Sequence, residues 1–170
     1  MKIKRLAYCG LLAAIIGAAA QIALPIQPVP INLALLAVVS AGALLGAKYG
    51  TLSVVVYILL GAVGVPVFTG FRGGLGVLAG VTGGYIVGYT VTAFVTGIVC
   101  QKTKETLPVF LGMLIGTALC NAIGTAWFCL ITGSSVAAAV SVCVLPYIPG
   151  DILKIIGGIF IFKKFNKHIK

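Results

Sequence analysis

Acidic side chains are almost missing from this chain of 170 residues: Glu105 and Asp151 are the only two. Charged residues of both signs make up 8% of it, against about 25% in soluble domains. So little charge cannot cover a surface in water. Histidine occurs once, at His168 in the basic tail, so no His-based metal set or His-activated nucleophile can be assembled. The five cysteines, at 9, 100, 120, 129 and 143, form no C-x-x-C pair and lie in or beside apolar runs. They read as small apolar fillers rather than a disulfide or metal framework. No G-x-x-x-x-G-K-[ST] occurs, so the chain cannot by itself couple ATP to work. H-E-x-x-H and G-x-S-x-G are likewise missing, which argues against an intramembrane protease or acyltransferase. Gly74-Leu-Gly76-Val-Leu-Ala79 matches a loose dinucleotide fingerprint. It follows no strand, and position 99, about twenty residues on, is Val rather than an acid.

What is present is apolar. Hydrophobic residues account for 61% of the chain and the mean hydropathy is +1.21, so the solvent is mostly lipid. The length suits one membrane-embedded domain over residues 1–170. Apolar runs between Pro, Gly and charge breaks predict six spans, at about 6–24, 31–47, 51–65, 80–100, 107–130 and 145–162. The third is short, closed by Gly61, Gly64 and Pro66. The apolar stretch 131–144 leaves room for a short extra helix. Lys2, Lys4 and Arg5 ahead of an Ala-rich run resemble a secretory signal, but five further spans and the distribution of charge favour a retained first helix.

The net charge of +10 invites a nucleic-acid reading, yet the basic residues sit between apolar runs and at the ends, with no aromatic-interleaved patch. They mark topology instead. Alternate loops on one side hold Lys2, Lys4, Arg5, Lys48, Lys102, Lys104, Lys163, Lys164, Lys167 and Lys170, while the opposite loops hold only Arg72. The positive-inside rule then places both termini in the cytoplasm.

The remaining polar groups converge on the outer side. Asp151 and Lys154 stand three apart in Leu145-Pro-Tyr-Ile-Pro-Gly-Asp-Ile-Leu-Lys154, on one face of the sixth helix. Ionisable groups at membrane depth are costly and usually functional, whereas the plain alternative is a helix start with its own neutralising pair. At 1.5 Å per residue, Asn121 falls roughly 21 Å along the fifth span, in its outer half. Tyr85 opens the fourth span, Arg72 lies in the outer loop, and Gln27 and Asn32 flank the first outer turn. The Gly-rich stretch 64–79 reads as a lid or wall over them. The pattern predicts an outward pocket, largely apolar, for a small amphipathic ligand with an anionic end and an N–H-bearing end.

Pro28-Val-Pro30, Leu60-Gly-Ala-Val-Gly-Val-Pro-Val-Phe68, Thr82-Gly-Gly-Tyr85 and the 145–154 segment occur in that order. Together, over about residues 6–162, they resemble the BioY family, the biotin-binding S components of energy-coupling-factor (ECF) transporters. The resemblance implies an all-α, six-helix S component in the bacterial plasma membrane. It implies capture of biotin outside and delivery inward with a transmembrane coupling subunit and two cytoplasmic ATPases, without catalysis or a cofactor. It implies Asp151 and Lys154 as ligand contacts, with Tyr85 close by; on hydrogen-bonding grounds, Asp151 would accept from the ureido N–H groups of biotin and Asn121 would complete that network. On charge alone, and not from the family pattern, the carboxylate would meet Lys154 or Arg72. Two positions depart from the family pattern: Asn32-Leu33-Ala34 where Thr-Leu-Gln is common, and Val81 where Pro is common. A small-residue face at Ala14 and Ala18 on the first helix is implied to dock the coupling subunit, since small residues let helices approach closely. Competing readings are an S component for another small vitamin, an intramembrane enzyme, or a passive channel. A channel would need a polar stripe along a whole pore, and the inner half of the spans lacks one.

Overall fold

The computed structural model describes residues 2–24 and 29–165. Helix α1 (Lys2–Gln21) leads into a short antiparallel ribbon, β1 (Ala23–Leu24) with β2 (Ile31–Asn32). Then come α2 (Ala34–Ala62), α3 (Leu75–Ala79), α4 (Gly83–Lys102), α5 (Thr106–Thr132) and α6 (Val136–Cys143). A 3-10 turn at Leu145–Tyr147 precedes α7 (Ile148–Phe165). Among the described residues six membrane-spanning elements result: α1, two limbs of α2, α4, α5 and α7.

Helix α2 is continuous in hydrogen bonding but not in direction. Gly46 has φ +77° and ψ 178°, a conformation that only glycine adopts without cost. The chain reverses there: a Cβ on Gly50 would sit 2.6 Å from Gly42 Cα and 2.7 Å from the Ala41 oxygen. In a straight helix those eight residues would span about 12 Å. Residues 34–45 and 47–62 are therefore an antiparallel hairpin, the expected second and third spans. The turn is tighter than predicted, and Lys48 lies in the helix rather than in a loop.

Other boundaries differ modestly. The first helix stops at Gln21, because residues 23–24 pair in the ribbon instead. The outer stretch after α2 contains a helical turn, α3, as well as loop. The extra element within 131–144 exists as α6, with the Ser135 hydroxyl accepting from Ala138 N. Pro149 occupies the first turn of α7, where its lacking N–H costs nothing.

Lipid supplies no hydrophobic force between helices, so close backbone approach holds them together. Gly42 faces the backbone of Ala93, Gly97 faces Ala47, and Gly116 faces Thr92. Two layers of buried side chains follow. One joins α1, α2 and α4 through Ile16, Val38, Val54, Tyr57, Ile86 and Ala93, with Phe68 of the outer loop packed among them. The other joins α2, α5 and α7 through Val39, Val109, Met113, Ile155 and Phe162.

Arg72 and Lys154 apart, the described basic residues gather at one end. Arg5 lies over the Tyr49 ring at 5.6 Å and Lys48 over the same ring at 5.9 Å. Lys163 donates to the Thr106 hydroxyl. The opposite end carries the ribbon, the 63–82 segment and α6. The predicted polar residues lie there.

Candidate functional site

The first turns of α7 build one wall. Pro149 and Gly150 start the helix, and Asp151 and Lys154 follow three apart on its inward face. Lys154 Nζ donates to Asp151 Oδ1 at 3.0 Å, and both residues are buried. An isolated charge in this setting would cost several kcal/mol, about 2.5–3.5 on insertion scales. The pair neutralises itself, yet among the described residues only Oδ1 of the carboxylate has a partner.

Around that pair lies a cavity of about 50 Å³, bordered by Asp151, Lys154, Asn121, Tyr85, Tyr89 and Tyr147 as well as the ribbon residues Val29 to Asn32. Tyr85 is set by α4: its hydroxyl meets Thr125 Oγ1 at 3.2 Å, and its ring packs over Gly124 of α5. Asn121 projects from α5 with no side-chain partner among the described residues. Asp151, Lys154, Asn121 and Tyr85 thus border one and the same cavity.

Arg72 is placed differently. It borders a second cavity of about 40 Å³, with Asn32, Thr69, Thr82, Tyr85 and Tyr89 among its neighbours. The two cavities share Val29, Pro30, Asn32, Tyr85 and Tyr89, so they are halves of one polar region parted by side chains. Each as it stands has room for only a few waters. Ligand pockets run to about 300 Å³ or more, so side chains must part to admit a solute.

The outer loop is braced by hydrogen bonds from its own backbone, α1 and the ribbon. Phe68 and Arg72 exchange backbone hydrogen bonds at 2.9 and 3.2 Å. Gln21 Nε2 donates to the Val67 and Phe68 carbonyls at 3.1 and 3.2 Å, and its Oε1 accepts Phe71 N–H at 2.9 Å. Asn32 Nδ2 donates to Thr69 Oγ1 at 2.8 Å, while its Oδ1 accepts Ala34 N–H at 3.0 Å. Asn32 therefore ties the end of the ribbon to the outer loop. Gln27 lies outside the described residues.

Three further residues were missed. Tyr89 stands one turn beyond Tyr85 on α4 and borders both cavities; the i, i+4 spacing was the available signal. Tyr147 donates its hydroxyl to the Val29 carbonyl, joining the start of α7 to the ribbon. Gln21 sits at the end of an Ala-rich helix, and nothing local in the sequence points to its three loop contacts.

A larger groove of about 560 Å³ runs outside the polar region, between α5 and the α6–α7 arm. It is lined by exposed alanines 118, 122 and 126 and by apolar residues of α6 and α7, and touches the polar region only at Asn121 and Asp151. On α1, away from both polar cavities, Ala14 and Ala18 are exposed in line with Gly10.

The BioY family profile matches residues 1–170. Among similar proteins, the "Probable biotin transporter BioY" of Pyrococcus horikoshii is 36% identical over 166 residues, covering 98% of each chain. The "Biotin transporter BioY" of Thermotoga maritima is 37% identical, covering 96% of each. A solved structure, the S-component for biotin from an ECF-type ABC transporter, superposes with a TM-score of 0.91 at 30% identity. That match covers 98% of this chain and 93% of the other.

Proposed function

The chain belongs to the BioY family, and from that membership we propose that it is the biotin-binding S component of an ECF-type importer. It is a multi-pass membrane protein that captures and hands on a solute; it performs no chemistry on it. The observation that carries the reading is the buried Asp151–Lys154 pair facing an outward cavity beside Asn121 and Tyr85.

The chemistry suits biotin. Its ureido ring offers two N–H donors and one carbonyl acceptor. The uncommitted oxygen of Asp151 is a charge-assisted acceptor for one N–H, and Asn121 carries both an acceptor and donors for the rest. Tyr85 and Tyr89 supply flat apolar faces for the fused ring system, with hydroxyls at their rims. A cation at Lys154 or Arg72 answers the carboxylate.

Transport against a gradient needs energy from elsewhere, since the chain has no nucleotide-binding loop. A transmembrane coupling subunit and two cytoplasmic ATPases would supply it. The exposed face of α1 at Ala14 and Ala18 is the docking surface we assign to the coupling subunit, because small residues let a partner helix come close.

Calorimetry of the purified, ligand-stripped protein against biotin tests the reading. One-to-one binding that weakens in Asp151→Asn and Lys154→Ala supports both ligand and site. A folded sample that takes up no biotin would sink the specificity and leave an S component for some other small solute.

A further inference from the structure

Resting on the reading of this region as a biotin site, we propose that Arg72, and not Lys154, receives the ligand carboxylate. The ligand then lies across both cavities, its N–H end at Asp151 and Asn121 and its anionic end at the 68–72 turn.

Charge balance is the first reason. Lys154 is already committed to Asp151 at 3.0 Å, and both are buried. A ligand carboxylate brought to Lys154 would put two anions around one ammonium, leaving an uncompensated negative charge out of water. Like charges that close disfavour each other strongly in such a setting. Arg72 has no such commitment. The chain's only other acid, Glu105, begins α5 at the opposite, basic end.

Donor geometry is the second. Arg72 spends one N–H, its Nε donating to the Thr69 carbonyl at 3.3 Å. A guanidinium carries five N–H donors in a fixed fork. Both terminal nitrogens therefore remain for a two-pronged grip on a carboxylate, the arrangement arginine makes best.

The third reason is how much structure holds Arg72 in place. Its turn is stapled to α1 by Gln21 and to the ribbon by Asn32 and Thr69. Phe71 beside it has φ +56°, an unfavourable conformation for a residue with a side chain. Such conformations persist only when the surroundings over-determine them, and they cluster at ligand sites. A surface arginine that merely kept the loop soluble would need none of this. Arg72 is also the one basic residue of the outer loops, so it is where an approaching anion is drawn first.

Length completes the case. The cavities bordered by Asp151 and by Arg72 share Asn32, Tyr85 and Tyr89 as their common wall. An elongated ligand can engage both ends once those side chains part, with its apolar middle against the two tyrosines.

The test compares biotin with biotinol, in which a hydroxymethyl group replaces the carboxylate. Calorimetry is run on the full chain in detergent, for wild type and Arg72→Gln, with thermal unfolding to confirm that the exposed substitution leaves the fold intact. Wild type is expected to prefer biotin by about 10–100-fold, the worth of a charge-assisted contact. Arg72→Gln is expected to abolish that preference by weakening biotin alone, with biotinol affinity changed less than about twofold. A full preference retained in Arg72→Gln overturns the proposal, as does a wild type indifferent to the carboxylate. Binding of neither compound by the wild type would instead defeat the biotin reading beneath it.

Discussion

Gln21 and Phe71 lie fifty residues apart in sequence, and the side-chain oxygen of one accepts the backbone N–H of the other at 2.9 Å. The same amide group donates to the carbonyls of Val67 and Phe68. A single side chain at the end of α1 thus ties down three residues of the turn that presents Arg72.

Gln21→Ala removes three loop contacts at once and leaves their backbone partners to water or to nothing. A loss of about 1–3 kcal/mol in stability is expected, by the usual cost of unpaired groups. Thermal unfolding in detergent reads it, and biotin should restore less of the melting temperature than in wild type. An unchanged melt would mean the ribbon alone anchors the turn.

The fold-back at Gly46 leaves no room opposite. Gly50→Val places new atoms within van der Waals contact of Gly42 and Ala41, and the hairpin must open to admit them. We expect destabilisation of about 3 kcal/mol or more, at the upper end for overpacking, and poor recovery from the membrane. Gly76→Ala is the control, since a Cβ there meets nothing within 4 Å.

Lys154→Met leaves Asp151 as an uncompensated buried charge, which typically costs about 3–5 kcal/mol. Adding Asp151→Asn to it should recover most of that stability without recovering biotin binding. The double variant melting like wild type but blind to biotin would separate the role of the pair in binding from its role in folding. Biotin affinity surviving in the double variant would move the site elsewhere.

Ala14→Trp and Ala18→Trp project bulk from an exposed helix face and touch no part of the polar region. Biotin affinity of the isolated chain should stay within about twofold, because no binding contact is altered. Co-purification with the coupling subunit should fall steeply. If assembly survives both substitutions, the docking surface lies on another face.

Tyr147→Phe tests a link that the sequence did not suggest. Its hydroxyl ties the start of α7 to the Val29 carbonyl, and removing it should cost about 1 kcal/mol, as for a typical hydrogen bond. Val29 borders both cavities, so part of this loss is expected as weaker biotin binding in calorimetry. An unaltered affinity would confine Tyr147 to packing with Cys143 and Phe128.

Much of the protein could be read along the chain. Each residue's cost of transfer into lipid adds locally, so composition and apolar runs by themselves determined the solvent, the six spans and, through the placement of Lys and Arg, their orientation. The Asp151–Lys154 pair was legible too, because both members lie within one helical turn and few other charges compete for notice. Small elements such as α3 and the ribbon were not, since two to five residues carry too little periodicity to register.

What tertiary structure alone decided concerns groups brought together from far apart. That spans two and three fold back on a single residue depends on Gly42 and Gly50 tolerating backbone contact, which no local pattern reveals. That Gln21 and Asn32 belong with the turn carrying Arg72, and Tyr147 with Val29, follows from side chains crossing between elements 37 to 118 residues distant. An isolated Gln or Tyr in an apolar run has many satisfactory partners in a folded protein. Which one it takes is set by packing, and packing is a property of the assembled helices rather than of any one of them.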